Sequence, residues 1–157
     1  MPTIKQPGGH ASVAHQQPLS TIVYRNVSRL LDIREVASEG DLADVVDRRL
    51  PTRSIKSLVR GGLEQRAVHS LVIPKRTLGH RTDKRELLSQ DESDKMVRIA
   101  RVMALAETVF GDKKRSQVWL RDSEQFNGKS PLAKAATSAG ARQVEERLYQ
   151  VYYGMFG

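Results

Sequence analysis

The sequence has 157 residues, 39% of them hydrophobic and 28% charged, with no cysteine and a net charge of +8 at pH 7. This length and hydrophobic content suffice for one domain, or for two small domains that share a helix. The lack of cysteine excludes disulfides, thiolate metal sites and a thiol nucleophile, and it fits a cytoplasmic protein. No stretch is long and apolar enough to span a membrane, so we expect a soluble protein.

The positive charge is concentrated in one segment. Residues 48–85 contain eleven Lys or Arg residues and only two acidic ones, Glu64 and Asp83, so the segment carries +9 and the remainder −1. A run of charge is often only a solvated surface. Because the whole excess lies in one segment, nucleic acid becomes a serious candidate partner.

The first 50 residues contain a tail and two predicted helices. Residues 1–18 are rich in Pro, Gly and Gln without an apolar period, which predicts a disordered tail. Residues 19–34 place apolar side chains at helical spacing and predict an amphipathic helix, although residues 23–24 could instead begin a short strand. Asp41 is predicted to cap a short helix that buries Leu42.

The basic segment is predicted to form three short helices. Pro51 suits the first position of a helix that stops at residues 61–62, and residues 63–71 form the next one. The chain breaks before Pro74, because a residue that precedes proline avoids the α region. Pro74 is then predicted to open a third helix that runs to about Lys84. A short helix, a tight break and a short basic helix are typical of a helix-turn-helix.

The third of these helices holds the candidate DNA-binding residues. Its sequence, PKRTLGHRTDK, offers basic and polar side chains to a groove while Leu78 packs inward. Arg reads guanine with two hydrogen bonds, and Thr or His contacts base edges or phosphates. Gly79 lies inside this helix, where it costs about 1 kcal/mol relative to Ala. We predict DNA contacts from Lys75, Arg76, Thr77, His80, Arg81 and Lys84.

Residues 89–111 form the least ambiguous helix. Ser89 and Glu92 have the spacing of a capping box, and Gly111 suits the left-handed residue that ends a helix. Apolar residues at steps of three and four form one stripe, and further apolar residues extend the apolar surface beyond it. The helix should therefore be covered on more than one side. This apolar surplus also predicts a homodimer or a larger assembly.

Two more helices are expected directly after the long one. Asp112 is predicted to cap the first of them. Ser130 is predicted to cap the second, with Pro131 at its first position and Gly140 at its end.

The last predicted helix runs from residue 141 to about residue 153 and is followed by apolar residues. Its predicted core positions are Val144, Leu148 and Val151. Gly154 lets the backbone turn after this helix, so that Met155 and Phe156 can enter a concave site. Because large apolar side chains gain nothing in water, these two are predicted to dock on this protein's own core or on a partner.

Catalytic motifs are not evident in the sequence. Residues 128–130, Gly-Lys-Ser, are similar to the end of a phosphate-binding loop, but Ser123 stands where that motif needs its first Gly. There is no Ser/His/Asp grouping and no H-E-x-x-H, so we predict no enzyme, no cofactor and no metal site. The three Phe, four Tyr and one Trp lie mostly outside the basic segment, which disfavours an RNA-binding protein.

Two parts of the sequence resemble the Xre/MbcA/ParS family of antitoxins. Residues 73–81, IPKRTLGHR, are similar to a stretch of that family's helix-turn-helix, although Val72 stands where such a turn commonly has Gly. Landmarks in the C-terminal third resemble the family's toxin-binding domain in order and spacing. These landmarks are V-F-G-D (109–112), Trp119-Leu120, Phe126-Asn127-Gly128, Ser130-Pro131-Leu132, Ala139-Gly140-Ala141, Val144, Leu148 and Tyr153-Gly154-Met155-Phe156.

Helical spacing without any long alternating run predicts an all-α, multi-helix fold. Composition and the resemblance together divide the chain into three parts. These are the tail (1–18), N-terminal helices with an Xre-like helix-turn-helix (19–88), and the central helix with a small toxin-binding domain (89–157).

The resemblance implies an antitoxin that occludes the active site of a RES-domain toxin, an NAD-depleting enzyme, and that binds operator DNA to repress its own operon. Toxin contacts are then expected from Trp119, Phe126, Tyr149, Tyr152, Tyr153, Gly154, Met155 and Phe156. The alternative is a free-standing transcriptional regulator whose C-terminal domain only dimerises.

Overall fold

The computed structural model of the protein describes residues 17–154, and within that range the regular secondary structure is entirely α-helical. The predicted all-α class is therefore confirmed. Most of the predicted tail, together with Met155 and Phe156, lies outside the described residues. In the described range no helix has the length and apolarity needed to cross a membrane. The helices are α1 (Leu19–Leu31), α2 (Glu39–Arg48), α3 (Arg53–Arg60), α4 (Gln65–Leu71), α5 (Lys75–Asp83), α6 (Gln90–Phe110), α7 (Lys113–Arg121), α8 (Pro131–Lys134) and α9 (Ser138–Tyr152).

Helix α6 is the centre of the fold. The predicted capping box is confirmed: Ser89 Oγ accepts from the Glu92 N–H at 3.0 Å, and Glu92 Oε1 accepts from the Ser89 N–H at 2.7 Å. Gly111 ends the helix with φ 65°, in the left-handed region. Helices α1, α2, α7 and α9 pack around α6. The prediction that this helix is covered on several sides is thus confirmed.

The same packing leaves little apolar surface on α6 for the predicted homodimer, which stays a prediction. Met96, Ile99 and Met103 are at most 1% exposed, and every other apolar residue between residues 96 and 106 is also buried. Helices of the same chain cover this part of α6, and of its apolar surface only the last turn, with the half-buried Val109 and Phe110, stays partly exposed.

Several predicted helix starts differ from the observed ones. Ser38, rather than Asp41, is the N-cap of α2, because its Oγ accepts from the Asp41 N–H at 3.1 Å. Pro51 lies two residues before α3, and Pro74 is the N-cap of α5 rather than its first helical residue. Residues 23–24 lie within α1, so the strand alternative is wrong.

The C-terminal helices confirm some predictions and correct others. Asp112 and Ser130 cap α7 and α8 as predicted, each through its side-chain oxygen. Gly140 does not end α8, which stops at Lys134; it lies in the first turn of α9. Val151 is 37% exposed and is not a core residue, because α9 has passed beyond the helices that cover its earlier turns.

Candidate DNA-binding and protein-binding surfaces

The turn between α4 and α5 is held by both hydrophobic and polar contacts. Val72 and Ile73 are buried, so the turn is fixed to the core. The His69 Nδ1 atom lies 3.1 Å from the carbonyl oxygen of Ile73 and connects the end of α4 to the turn. Helix α5 therefore leaves the turn in a defined direction, with one side facing the rest of the protein and the other facing solvent.

The six predicted DNA-binding residues do not share one face of α5. Thr77 and Arg81 are half-buried and lie on the same side of the helix as Leu78. The other four are exposed, and within residues 17–154 their side chains have no hydrogen bond or ion pair. We refer to these four as the outward group of α5: Lys75, Arg76, His80 and Lys84.

Arg81 contacts carboxylates of its own chain. Its Nε lies 2.8 Å from Glu92 Oε1, and its Nη2 donates to Glu92 Oε2 at 3.3 Å. The carboxylate of Glu86 lies 3.4 Å from Arg81 Nη1. The side chains of Arg81 and Glu92 are only 21% and 10% exposed. The Arg81 guanidinium therefore faces carboxylates of its own chain, and its contact with DNA stays a prediction.

Other cations of residues 48–85 divide into paired and unpaired groups. Arg53 forms an ion pair with Asp32, and Arg49 donates to the backbone carbonyl oxygens of residues 87 and 88. The remaining cations are exposed and form no ion pair with the described residues, so they extend the basic surface beyond α5. They are Arg48, Lys56, Arg60, Arg66 and Arg85.

Two of the predicted toxin-binding residues lie at the edge of the core. Trp119 is half-buried, and its ring centroid lies 5.7 Å from that of Phe110. Phe126 is also half-buried, with the Arg147 guanidinium 5.0 Å from its ring centroid. Each therefore presents only part of its ring to a partner.

A shallow apolar groove follows the outer face of α7. Val118 is 70% exposed beside the Phe110–Trp119 pair, and the rim of the groove is charged. We call this the α7 groove; its rim residues are Asp112, Lys114, Arg115 and Asp122. Val118 is not among the toxin-binding residues predicted from the sequence. A signal was present, however, because Val118, Trp119 and Leu120 are consecutive and cannot all face one side of a helix.

Three tyrosines form an exposed stripe at the end of α9. Tyr149, Tyr152 and Tyr153 are 40%, 47% and 65% exposed, and we call them the tyrosine stripe. The Tyr152 and Tyr153 rings pack edge to face with their centroids 5.0 Å apart. Gly154 follows with φ 66°, which suits a turn at the end of a helix. Partial burial and the nearby Glu145 carboxylate raise the pKa of Tyr149.

An ion-pair network connects α9 to the N-terminal helices. Arg101 of α6 binds the carboxylate of Glu39 at the start of α2 and lies 3.2 Å from Glu145 of α9. The Tyr24 hydroxyl donates to Glu39 at 2.8 Å. Burial raises the pKa of Glu145, while the guanidinium groups of Arg101 and Arg142 act in the opposite direction.

Helix α7 is also bound to the N-terminal half, through the turn between α3 and α4. Lys113 Nζ donates to the carbonyl oxygen of Arg60 at 3.1 Å. Arg121 donates to the carbonyl oxygen of Gly62 at 3.1 Å and forms an ion pair with Glu64 at 3.0 Å. The inner face of α7 thus holds this turn, while its outer face carries the α7 groove.

Comparison with known proteins finds two described domains within residues 41–154. Residues 41–101 match the antitoxin Xre-like helix-turn-helix domain, and residues 105–154 match the antitoxin Xre/MbcA/ParS C-terminal toxin-binding domain. A curated protein of Pseudomonas putida strain KT2440, named antitoxin Xre, is 37% identical over 127 residues; the match covers 80% of this chain and 79% of that protein. The outward group of α5 lies in the first domain. The α7 groove and the tyrosine stripe lie in the second.

Proposed function

Because this chain belongs to the Xre family of antitoxins, which are regulatory proteins rather than enzymes, we propose that it neutralises a RES-domain toxin and represses its own operon. The toxin-binding and helix-turn-helix domains imply a toxin partner and DNA. The RES class, an NAD-depleting enzyme, is proposed from the motif resemblance. One observation carries the proposal: exposed basic side chains lie on α5, in the matched helix-turn-helix domain, and exposed apolar and aromatic side chains lie on α7 and α9, in the matched toxin-binding domain.

The outward group of α5 is proposed to contact operator DNA. Neutralising phosphates with unpaired Lys and Arg releases counterions, and these side chains need not first leave an internal partner. Arg76 is proposed to read a base edge, with Lys75 and Lys84 on phosphates and His80 on either. Thr77 is half-buried and is proposed at the margin of this contact.

The α7 groove and the tyrosine stripe are proposed to bind the toxin. Exposed apolar patches with a polar rim often mark protein interfaces, and aromatic residues dominate their energetics. Val118 offers an exposed apolar side chain beside the partly exposed ring of Trp119, with Phe126 at the edge of the same domain. Gly154, Met155 and Phe156 are proposed to enter the toxin's active site and exclude NAD.

A homodimer remains part of the proposal on functional grounds. Helix-turn-helix proteins commonly pair so that two recognition helices meet two half-sites. Sedimentation equilibrium tests this directly, because a monomer mass that does not change with concentration would contradict the dimer.

The neutralisation proposal is tested by titrating purified RES-domain toxin with this protein while NAD consumption is followed. Stoichiometric inhibition is expected. NAD consumption that continues at saturating protein would reject the RES assignment. Binding of operator DNA without any toxin binding would instead favour the free-standing regulator.

A further inference from the structure

We propose that Arg81 is a positioning residue for α5, acting through Glu92, and that it does not itself contact DNA. The inference rests on the proposed function in one respect, namely that α5 is the helix that binds DNA. It changes the role predicted for Arg81 from a group that reads the operator to a group that sets the angle of the reading helix.

Helix α5 has few other contacts that could fix its position. No residue of α5 is fully buried, and Leu78 and Thr77 are only half-buried. A helix with so little buried apolar surface gains little from the hydrophobic effect. Buried residues anchor the chain on either side of α5, Ile73 before it and Leu88 after it, and within α5 the ion pair of Arg81 with Glu92 is a specific polar contact to α6.

Glu92 is itself held in place. Its Oε1 atom accepts from the Ser89 N–H at 2.7 Å in the capping box, and the same carboxylate receives the Arg81 guanidinium at 2.8 and 3.3 Å. Of these two contacts only the one from Nη2 has hydrogen-bond geometry, while Nε faces Oε1 as an ion pair without a hydrogen bond. Arg81 thus connects α5 to the first turn of α6, the most buried helix of the fold.

Releasing Arg81 to contact DNA would be unfavourable. The Glu92 side chain is only 10% exposed, and removing its partner would leave a poorly solvated carboxylate without a countercharge. The freed carboxylate would also lie near the phosphates and repel them. The side chains of the outward group of α5 have no internal partner within the described residues. When they contact DNA, they therefore leave no buried carboxylate unpaired and expose none to the phosphates.

The test compares operator binding by Arg81→Met and Lys75→Met over a range of salt concentrations. Lys75→Met is expected to reduce the salt slope by about one unit, as for a lost phosphate contact. Arg81→Met is expected to weaken binding about tenfold with the salt slope unchanged. A loss of about one unit of slope in Arg81→Met would overturn the proposal.

A second substitution separates positioning from direct contact. Glu92→Gln retains an acceptor for the capping box but removes the charge that Arg81 balances. Alone it should weaken operator binding about as much as Arg81→Met does, and the double variant should bind no more weakly than either single one. If Arg81 instead contacted DNA, freeing it from Glu92 would leave the affinity unchanged or raise it. Glu86→Gln is the matched control and should leave the affinity unchanged, since Glu86 is 43% exposed and its contact with Arg81 is longer. Operator affinity that is unchanged or raised in Glu92→Gln would overturn the proposal.

Hydrogen exchange of the α5 amides provides a measurement of the positioning role that needs no DNA. Arg81→Met and Glu92→Gln should each accelerate exchange in α5 more than in α6, and the double variant should exchange no faster than either single one. Unchanged exchange in Arg81→Met would contradict a positioning role. If the wild-type protein binds no DNA, the proposed DNA-binding function fails on that result alone. The hydrogen-exchange measurement still decides whether Arg81 positions α5.

Discussion

A Cβ atom on Gly140 would lie 1.9 Å from the backbone carbonyl oxygen of Lys134. Gly140 is in the first turn of α9 and Lys134 is the last residue of α8, so the missing side chain lets the two helices approach at their junction. The glycine is required here for space, and its φ is not in the left-handed region. This explains why reading it as a helix end was wrong.

Replacing Gly140 with Ala is expected to lower the free energy of unfolding by about 2–3 kcal/mol, at the upper end of overpacking effects. The clash is with a backbone oxygen, which cannot move without shifting α8. Urea unfolding monitored by circular dichroism measures the change. An effect below about 0.5 kcal/mol would mean that the α8–α9 junction adapts easily, contrary to this prediction.

Gly79→Ala is the matched substitution with the opposite expected sign. Gly79 is exposed in the interior of α5, and a Cβ atom added there would meet nothing within 4 Å beyond the backbone of its own helix. The variant should therefore be more stable by about 1 kcal/mol, the helix-propensity difference between the two residues. Urea unfolding again measures the change, and a variant less stable than the wild type would contradict this prediction. Under the proposed DNA contact, the added methyl faces the operator, so affinity should not rise with stability.

The elements predicted best are those with local signals. Ser89 and Glu92 mark the start of α6 and Gly111 marks its end, and Asp112 and Ser130 mark the starts of α7 and α8. These contacts are made between near neighbours in the chain, so their spacing in the sequence is sufficient to find them.

The features that were missed depend on contacts between distant parts of the chain. Val151 continues the apolar period of α9, but nothing in that period shows where the covering helices end. Arg81 is one cation among eleven in its segment, and only its position opposite Glu92 separates it from Arg76. Val118 looks like an ordinary helical residue until α7 is seen to bury Leu120 instead.

The pH dependence of stability should contain a contribution from Glu145. Burial raises the pKa of this carboxyl above its ordinary value of 4.5, so the native state holds the proton more tightly than the unfolded chain does. The contribution of Glu145 to stability therefore falls as the pH rises from 4.5 through the raised pKa. Glu145→Gln cannot ionise, so the free energy of unfolding of the wild type minus that of the variant should decrease over this range. A difference that is flat or increases with pH would contradict the prediction.

Deleting residues 154–157 should abolish or greatly weaken toxin inhibition while the fold and DNA binding remain. Val151, Tyr152 and Tyr153 are all exposed, so the last turn of α9 contributes little to the core. Thermal unfolding and the NAD-consumption assay on the same truncated protein provide the two readouts. A large fall in melting temperature would favour the alternative that Met155 and Phe156 dock on this protein's own core. Full inhibition by the truncated chain would exclude the occlusion mechanism.

Val118→Asp should weaken toxin inhibition at least about tenfold without changing thermal stability. The side chain is 70% exposed, so the substitution costs the free protein little, whereas a carboxylate buried against an apolar partner is unfavourable even with Lys114 and Arg115 at the rim of the groove. Leu87→Asp is the matched control: it places the same charge on an exposed aliphatic residue outside the matched toxin-binding domain, and should leave inhibition unchanged. Tyr152→Ala, in the tyrosine stripe, separates the two parts of the proposed surface. If Tyr152→Ala weakens inhibition and Val118→Asp does not, the toxin binds along α9 and the α7 groove is not part of the interface.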